Sequence, residues 1–478
     1  MNKKSFCLIP IAFLSFLICA PEIRANSWTN LGSGMNAYVE ALAFDKSGNL
    51  YAAGEFTVAG GIAVNRIARW DGAAWTNLNG IRESGNIYEL AFDSAGNLYA
   101  AGGNEIEKWN GTTWTNISAG MDWFVYALAA DKSGNLYAGG SFTAVGGVEV
   151  NHVAKWNGTT WTNLGSGMDF YAEALACDKS GNLYAGGSFT NAGGAPANRI
   201  ARWDGTNWTS LGNGIHSGTG DVVKALAFDK SGNLYAGGDF SVAGGVDAFA
   251  IAKWNGTTWT NLGSGMDFSV TALACDSAGN IYAGGNFNNA GGATANRIAK
   301  WNGASWASLG AGLNNSAMAL ACDASDSLYV AGYFSTAGGL EANHIAKWIP
   351  SPFGPVIKAN GSRDDIIINN GDNLSVTVQI DPGAYAGIEA DWWVVAMAGS
   401  AWYYWNNSYQ WTPDNTGNTL NWRPVYQGPL GSLPEVEVLS IGLGPGSYTF
   451  FFAVDYPMDG VLNLEGPILV DAVKVTVP

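Results

Sequence analysis

The chain has 478 residues, with 39 Asp and Glu against 23 Lys and Arg, a formal net charge of −16, 65 Gly and 21 Trp. An acidic balance without clustered Lys and Arg excludes a nucleic-acid binder, whose partner selects for basic surface. Few charges, many glycines and many aromatic residues fit an all-β protein rich in turns, and the length admits two or three domains.

Met1–Ala25 reads as a secretion signal: Lys3 and Lys4 form the charged start, Phe6–Ala20 the apolar run, and cleavage follows Ala25. A secreted, extracellular protein is expected. No later stretch is long and apolar enough for a transmembrane segment.

From Trp28 the sequence repeats. A Tyr closing a Gly-Asn-Leu-Tyr-like run recurs at Tyr51, Tyr99, Tyr137, Tyr184, Tyr235, Tyr282 and Tyr329. A Trp closing an Ile-Ala-Lys/Arg-Trp run recurs at Trp70, Trp156, Trp203, Trp254, Trp301 and Trp348, with Trp109 in a shortened copy. The commonest spacing is 47 residues. Units of about 40–50 residues, each holding several short strands, are the pattern of propeller blades.

The copy between Trp161 and Trp208 predicts strands at Ala172–Cys177, Leu183–Phe189 and Asn198–Trp203, and a fourth strand beginning at Trp208. Asp178-Lys179-Ser180-Gly181-Asn182 reads as a tight turn. Asp204-Gly205 is the two-residue hairpin signal, because both positions accept positive φ. Trp28-Thr29-Asn30 is a fourth strand with no copy before it, and Trp348 ends a copy with no fourth strand after it. A ring of seven blades closed by its N-terminal strand accounts for both, and closure removes open sheet edges.

These residues resemble known families. GNLYAGG followed by an aromatic residue, an Asp/Asn-Gly turn and Trp resembles the Kelch repeat of seven-bladed propellers. The Asp-x-Ser-Gly-Asn-Leu-Tyr run also resembles NHL-type and other secreted bacterial propeller repeats. The resemblance covers Trp28–Trp348 and implies a fold; propellers host unrelated activities, so it implies no particular function. Copper oxidases that pair this propeller with a β-sandwich need paired His and a Tyr–Cys crosslink, which three scattered His do not supply. No cofactor and no metal site is expected.

Function is sought where the copies differ. The connections entering successive units carry Asp122-Trp123-Phe124, Asp169-Phe170-Tyr171 and Asp267-Phe268. Acid beside aromatic suits sugars, whose faces stack on rings and whose hydroxyls donate to carboxylates. One position at the start of each first strand varies in polarity: Glu40, Glu89, Tyr126, Glu173, Lys224, Thr271 and Met318. These are expected near the mouth of a central channel, as a hydrated lining or as an acid/base site. The turn residues Asp45, Asp93, Asp131, Asp178, Asp229, Asp276 and Asp323 read as turn caps, since they lack the alternating oxygen ligands of a calcium loop. Cys177, Cys275 and Cys322 share one position and are expected as free, buried thiols, too far apart for disulfides.

The expected organisation is a signal at 1–25, a propeller at 26–349, a proline-rich linker at 350–357 and an antiparallel, immunoglobulin-like β-sandwich at 358–478. Strands are expected at Leu374–Ile380, Trp392–Ala398, Val436–Ile441, Ser447–Val454 and Ile468–Val477. Trp402 and Tyr404 belong to a dense aromatic run there and are candidate binding residues. The leading functional expectation is a monomeric, non-catalytic binding or adhesion scaffold, not an enzyme, with a protein or carbohydrate partner at the cell surface. The alternatives are a lectin using the acid–aromatic loops and an enzyme working at the channel mouth.

Overall fold

The computed structural model describes residues 27–478 apart from 79–84, 119, 217, 219, 350–353, 361–365, 371, 382–388, 399–400, 406–410, 415–425, 430–432, 443–444, 456–467 and 478. The expected secretion signal lies outside the described residues. Every regular element described is a β-strand. Trp28–Ile349 forms one compact unit and Pro350–Pro478 belongs to another.

The first unit contains seven four-stranded antiparallel sheets. In the copy read above, the strands are Ala172–Cys177, Leu183–Gly187, Ile200–Trp203 and Trp208–Ser210, paired in that order. The second strand stops two residues earlier than expected because the Ser188 amide leaves the ladder to bond the Tyr171 carbonyl at 3.0 Å. The third starts two residues later because Asn198 and Arg199 adopt φ of 41° and 70°, which no strand accommodates. Between them lies a small hairpin, Asn191–Ala192 with Ala195–Pro196. The second sheet lacks this hairpin; its chain turns directly from Leu98–Gly102 to Glu105–Trp109.

The turn aspartates do cap. Asp45 Oδ1 accepts the Ser47 and Asn49 amides at 2.9 Å each, and Oδ2 accepts Asn49 Nδ2 at 2.7 Å. The same bonds recur at Asp178 with Ser180 and Asn182.

Two devices tie one sheet to the next. In six of the seven sheets the Trp that opens the fourth strand reaches back to a carbonyl of the preceding copy, as Trp75 does to Leu31 at 3.0 Å, Trp208 to Leu164 at 2.9 Å and Trp161 to Ile117 at 2.6 Å; the Trp114 indole of the second sheet makes no such bond. The first strands also pack on one another in chain order, and the last of them, Ala317–Cys322, packs against the first, Val39–Phe44. Ser27–Asn30 lies beside Ile345–Ile349, in the fourth-strand place of the last sheet. There Trp28 donates to the Leu309 carbonyl at 2.9 Å, as its counterparts do elsewhere. One core cluster accordingly joins Leu50 and Ala52 of the first sheet to Tyr329, Ala331 and Ile345 of the last.

In the second unit four expected strands appear slightly lengthened, as Asn373–Asp381, Glu389–Ala398, Leu433–Gly442 and Gly446–Asp455, and Ile468–Val477 appears with the expected bounds. They form a three-stranded and a seven-stranded sheet. Ile357, Leu374, Val376 and Val378 of the first share one core with Trp392, Val394, Phe450, Phe452 and Val475 of the second. Gly354–Ala359 is a strand paired with Asn373–Asp381, so the stretch expected as linker enters a sheet at Gly354. Ile366–Ile367 pairs with Ile468–Val477 in parallel, where antiparallel pairing was expected throughout.

Candidate functional site

The polarity-variable position of the first strands is a β-bulge. Pairing slips between Val39 and Ala41, Val125 and Ala127, Ala172 and Ala174, and Val223 and Ala225, which leaves Glu40, Tyr126, Glu173 and Lys224 as the extra residues. A bulge redirects its side chain out of the alternation of the strand. Glu89 differs: its strand begins at that residue, in register with Ala101.

The second of the repeat's paired glycines sits against the chain that enters the first strand. A Cβ on Gly187 would lie 2.1 Å from the Tyr171 carbonyl oxygen, and one on Gly140 would lie 2.1 Å from that of Phe124. The second Gly is therefore required by close approach of the chain entering the first strand.

Three bulge residues from consecutive sheets meet in one cleft of about 310 Å³, lined by Tyr126, Tyr171, Glu173 and Lys224. The residue following the second Gly completes it. Ser188 donates a hydrogen bond to the Glu173 carboxylate, and Lys224 Nζ sits 2.6 Å from Asp239 Oδ2 and 3.4 Å from Ser269 Oγ. Burial raises the Glu173 carboxyl above the ordinary carboxylate range, against the opposing effects of Ser188 and Lys224. Elsewhere Tyr333 donates to Glu40 at 3.0 Å; burial and nearby Glu55 raise the Glu40 carboxyl, and the Tyr333 bond moderates this. Glu89 keeps part of its surface open, yet burial pushes its carboxyl up to about 8, opposed only by the Leu90 amide.

Sequence reasoning missed Glu55, Ser188, Asp239 and Tyr333. Their signal was present: the residue between the second Gly and the Phe runs through Glu55, Ser141, Ser188, Asp239, Asn286 and Tyr333 while both neighbours barely change.

The acid–aromatic loops divide their labour. Asp169 accepts the Thr190 and Asn191 amides at 2.8 Å each, Thr190 Oγ1 at 2.6 Å and Asn191 Nδ2 at 2.7 Å. Those four bonds fill the acceptor sites of a carboxylate. Partial burial opposes them, but they hold Asp169 down at about 2. Asp122 and Asp267 make three such bonds each, to Thr143 and Ala144 and to Asn288 and Asn289. These carboxylates hold loops in place. The aromatic neighbours are the exposed members: Trp123 at 59%, Phe268 at 63%, with Phe124 and Phe170 also open. Tyr38 and Phe249, not singled out in the sequence, are exposed as well. A second cleft of about 350 Å³ includes Asp221, Asp239, Phe249, Asp267 and Phe268.

Trp402 and Tyr404 lie on Ala401–Trp405, opposite Met397 and Val395. Their side chains lie outside the described residues. Cys177, Cys275 and Cys322 are free but half-buried rather than fully buried; burial pushes the Cys177 thiol up to about 12 and that of Cys275 to about 11. No cluster of three or more His, Cys, Asp or Glu suited to a metal occurs among the described residues. No helix among them is long and apolar enough to cross a membrane.

Residues 172–320 match the family model of the Rax2 C-terminal beta propeller domain. With the antiparallel sheets described above, this makes the chain an all-β protein containing a β-propeller. No curated protein matches the sequence. Among solved structures, a candidate gluconolactonase is similar at 13% identity and a TM-score of 0.35, over 70% of this chain and 94% of that one. That neighbour bears an enzyme's name, so the expectation that this protein is not an enzyme is withdrawn. At such similarity the neighbour assigns no reaction, substrate or residue.

Proposed function

We propose that this is a secreted propeller protein that binds a carbohydrate in the cleft of Tyr126, Tyr171, Glu173 and Lys224. The observation that carries the reading is the convergence, from three sheets, of two phenol rings, a carboxyl and an ammonium on one open cavity. Rings offer faces to a sugar; the carboxyl accepts hydroxyl hydrogens and the ammonium donates. The seven sheets are taken as seven blades closed by Ser27–Asn30, and the seven-stranded and three-stranded sheets as a β-sandwich module. Secretion rests on Met1–Ala25, and the Kelch- and NHL-like kinship on the repeat itself.

A glycan-array screen of the chain without Met1–Ala25 tests this. Saturable binding to one sugar class, weakened by Tyr171→Ala and Glu173→Gln in the folded protein, supports the reading. A blank array, or binding untouched by both variants, ends it.

One observation favours a second reading. Burial raises the Glu89 carboxyl to about 8, the range in which a general acid works, and its strand neighbours the one that carries Tyr126. Loss of turnover on a bound sugar in Glu89→Gln, with binding kept, would establish catalysis.

A further inference from the structure

The cleft is one end of a longer aromatic path. Trp123 lies 6.2 Å from Phe124, Phe124 stacks at 6.5 Å on Tyr126, and Tyr126 meets the edge of Tyr171 at 6.2 Å, all between ring centroids. Tyr171 is backed by Phe170 at 4.0 Å and by buried His152 at 5.6 Å. Burial holds the His152 imidazole below its ordinary value, so at neutral pH it is an uncharged wall. The path thus runs from the open Trp123 through Phe124 into the cleft that holds Glu173 and Lys224.

The rings are held by the fold. Tyr126 stands on a bulge, and Trp123 and Phe124 follow Asp122, whose three bonds to Thr143 and Ala144 fix the loop. Rings fixed in advance present contact area at little cost in ordering. Charge narrows the occupant. Lys224 is already paired with Asp239, and Glu173 adds a carboxyl beside them, so the cleft carries no spare positive charge for an anion. The chain as a whole is acidic.

We propose that the occupant is an extended neutral oligosaccharide, its terminal unit seated in the cleft and its following units stacked along Tyr126, Phe124 and Trp123. This rests on the carbohydrate reading above and adds chain length and neutrality to it.

Calorimetric titration of the chain without Met1–Ala25 tests the proposal. The probes are glucose, xylose and N-acetylglucosamine, each against its own linear hexasaccharide, and polygalacturonate as the anionic arm. In the responsive series the hexasaccharide binds more tightly than the monosaccharide. Trp123→Ala weakens the hexasaccharide about tenfold, the order of removing an aromatic anchor, and leaves the monosaccharide unchanged. Trp123→Phe restores most of the loss. Because Trp123 is exposed, the variant should melt like the wild type. Equal affinity for the short and long sugars, or an equal loss of both in Trp123→Ala, overturns the path and leaves the cleft reading standing. Tighter binding of polygalacturonate overturns neutrality. Failure of every probe overturns the path and the carbohydrate reading together.

Discussion

The indole of Trp28 donates to the carbonyl of Leu309 at 2.9 Å across 281 residues of chain. Trp75, Trp208 and Trp306 make the same bond across 44 residues. The long bond therefore has the geometry of a local repeat contact, and it fastens the first described strand, seated in the last sheet, to the chain leaving the sixth sheet at Trp306–Ser308. Gly338 lies against Trp28 as Gly60 lies against Trp75. Replacing a buried Trp by Ala costs about 3–5 kcal/mol. Trp28→Ala should lower the unfolding free energy of the first unit, read from urea titration, by that order and its midpoint accordingly, and Trp28→Phe by less. Unchanged midpoints would mean that the strand is ornamental.

Gly187 and Gly181 separate steric from conformational need. At Gly187 an added Cβ meets a carbonyl oxygen at 2.1 Å, whereas at Gly181 nothing lies within 4 Å but φ is +87°. Gly181→Ala should cost about 1 kcal/mol, the usual order for a left-handed turn. Gly187→Ala forces the backbone that carries Glu173 to shift, and should cost about 3 kcal/mol or more and weaken ligand binding. Paired melting curves and titrations check this ordering; equal costs would contradict the close-approach account.

Glu89 predicts a pH dependence. Its folded carboxyl is raised from 4.5 to about 8, so the folded state holds a proton that the unfolded state releases. The associated stability is complete below pH 4.5 and falls as pH rises toward about 8. Glu89→Gln removes this loss. Its melting temperature should match wild type at acid pH and exceed it above the upper value, with the difference growing between the two. A constant difference across that range would contradict burial as the cause.

The repeat announces most of this fold because each copy states its own turns, strand ends and glycines in the same order. What stayed hidden was geometry created between copies. The meeting of Tyr126, Glu173 and Lys224 in one cleft joins residues of three copies and leaves no mark in any one of them. The pairing of Tyr333 with Glu40 spans 293 residues and is visible only once the sheets are placed. Asp169 was read as a sugar acceptor from its aromatic neighbours, whereas its partners Thr190 and Asn191 lie 21 and 22 residues away.

Asp169 supplies a further prediction. Asn314 holds the equivalent loop with an amide, accepting the Ser335 and Thr336 backbone at 3.0 Å each. Asp169→Asn should therefore keep the loop and the ligand affinity, while Asp169→Ala should cost about 1–2 kcal/mol. The carboxyl is held down at about 2, so its contribution persists above the ordinary Asp value of 3.8 and is lost as pH falls toward 2. Loss of ligand binding in a folded Asp169→Asn protein would place this carboxylate in contact with the ligand instead.

The most direct test of the central claim is a crystal structure of the chain without Met1–Ala25 in complex with its tightest-binding glycan. The account predicts a sugar ring in the cleft against Tyr126 and Tyr171, hydrogen-bonded to Glu173 and Lys224, with further units running toward Trp123. A sugar bound on another face, with this cleft holding only water, would contradict it.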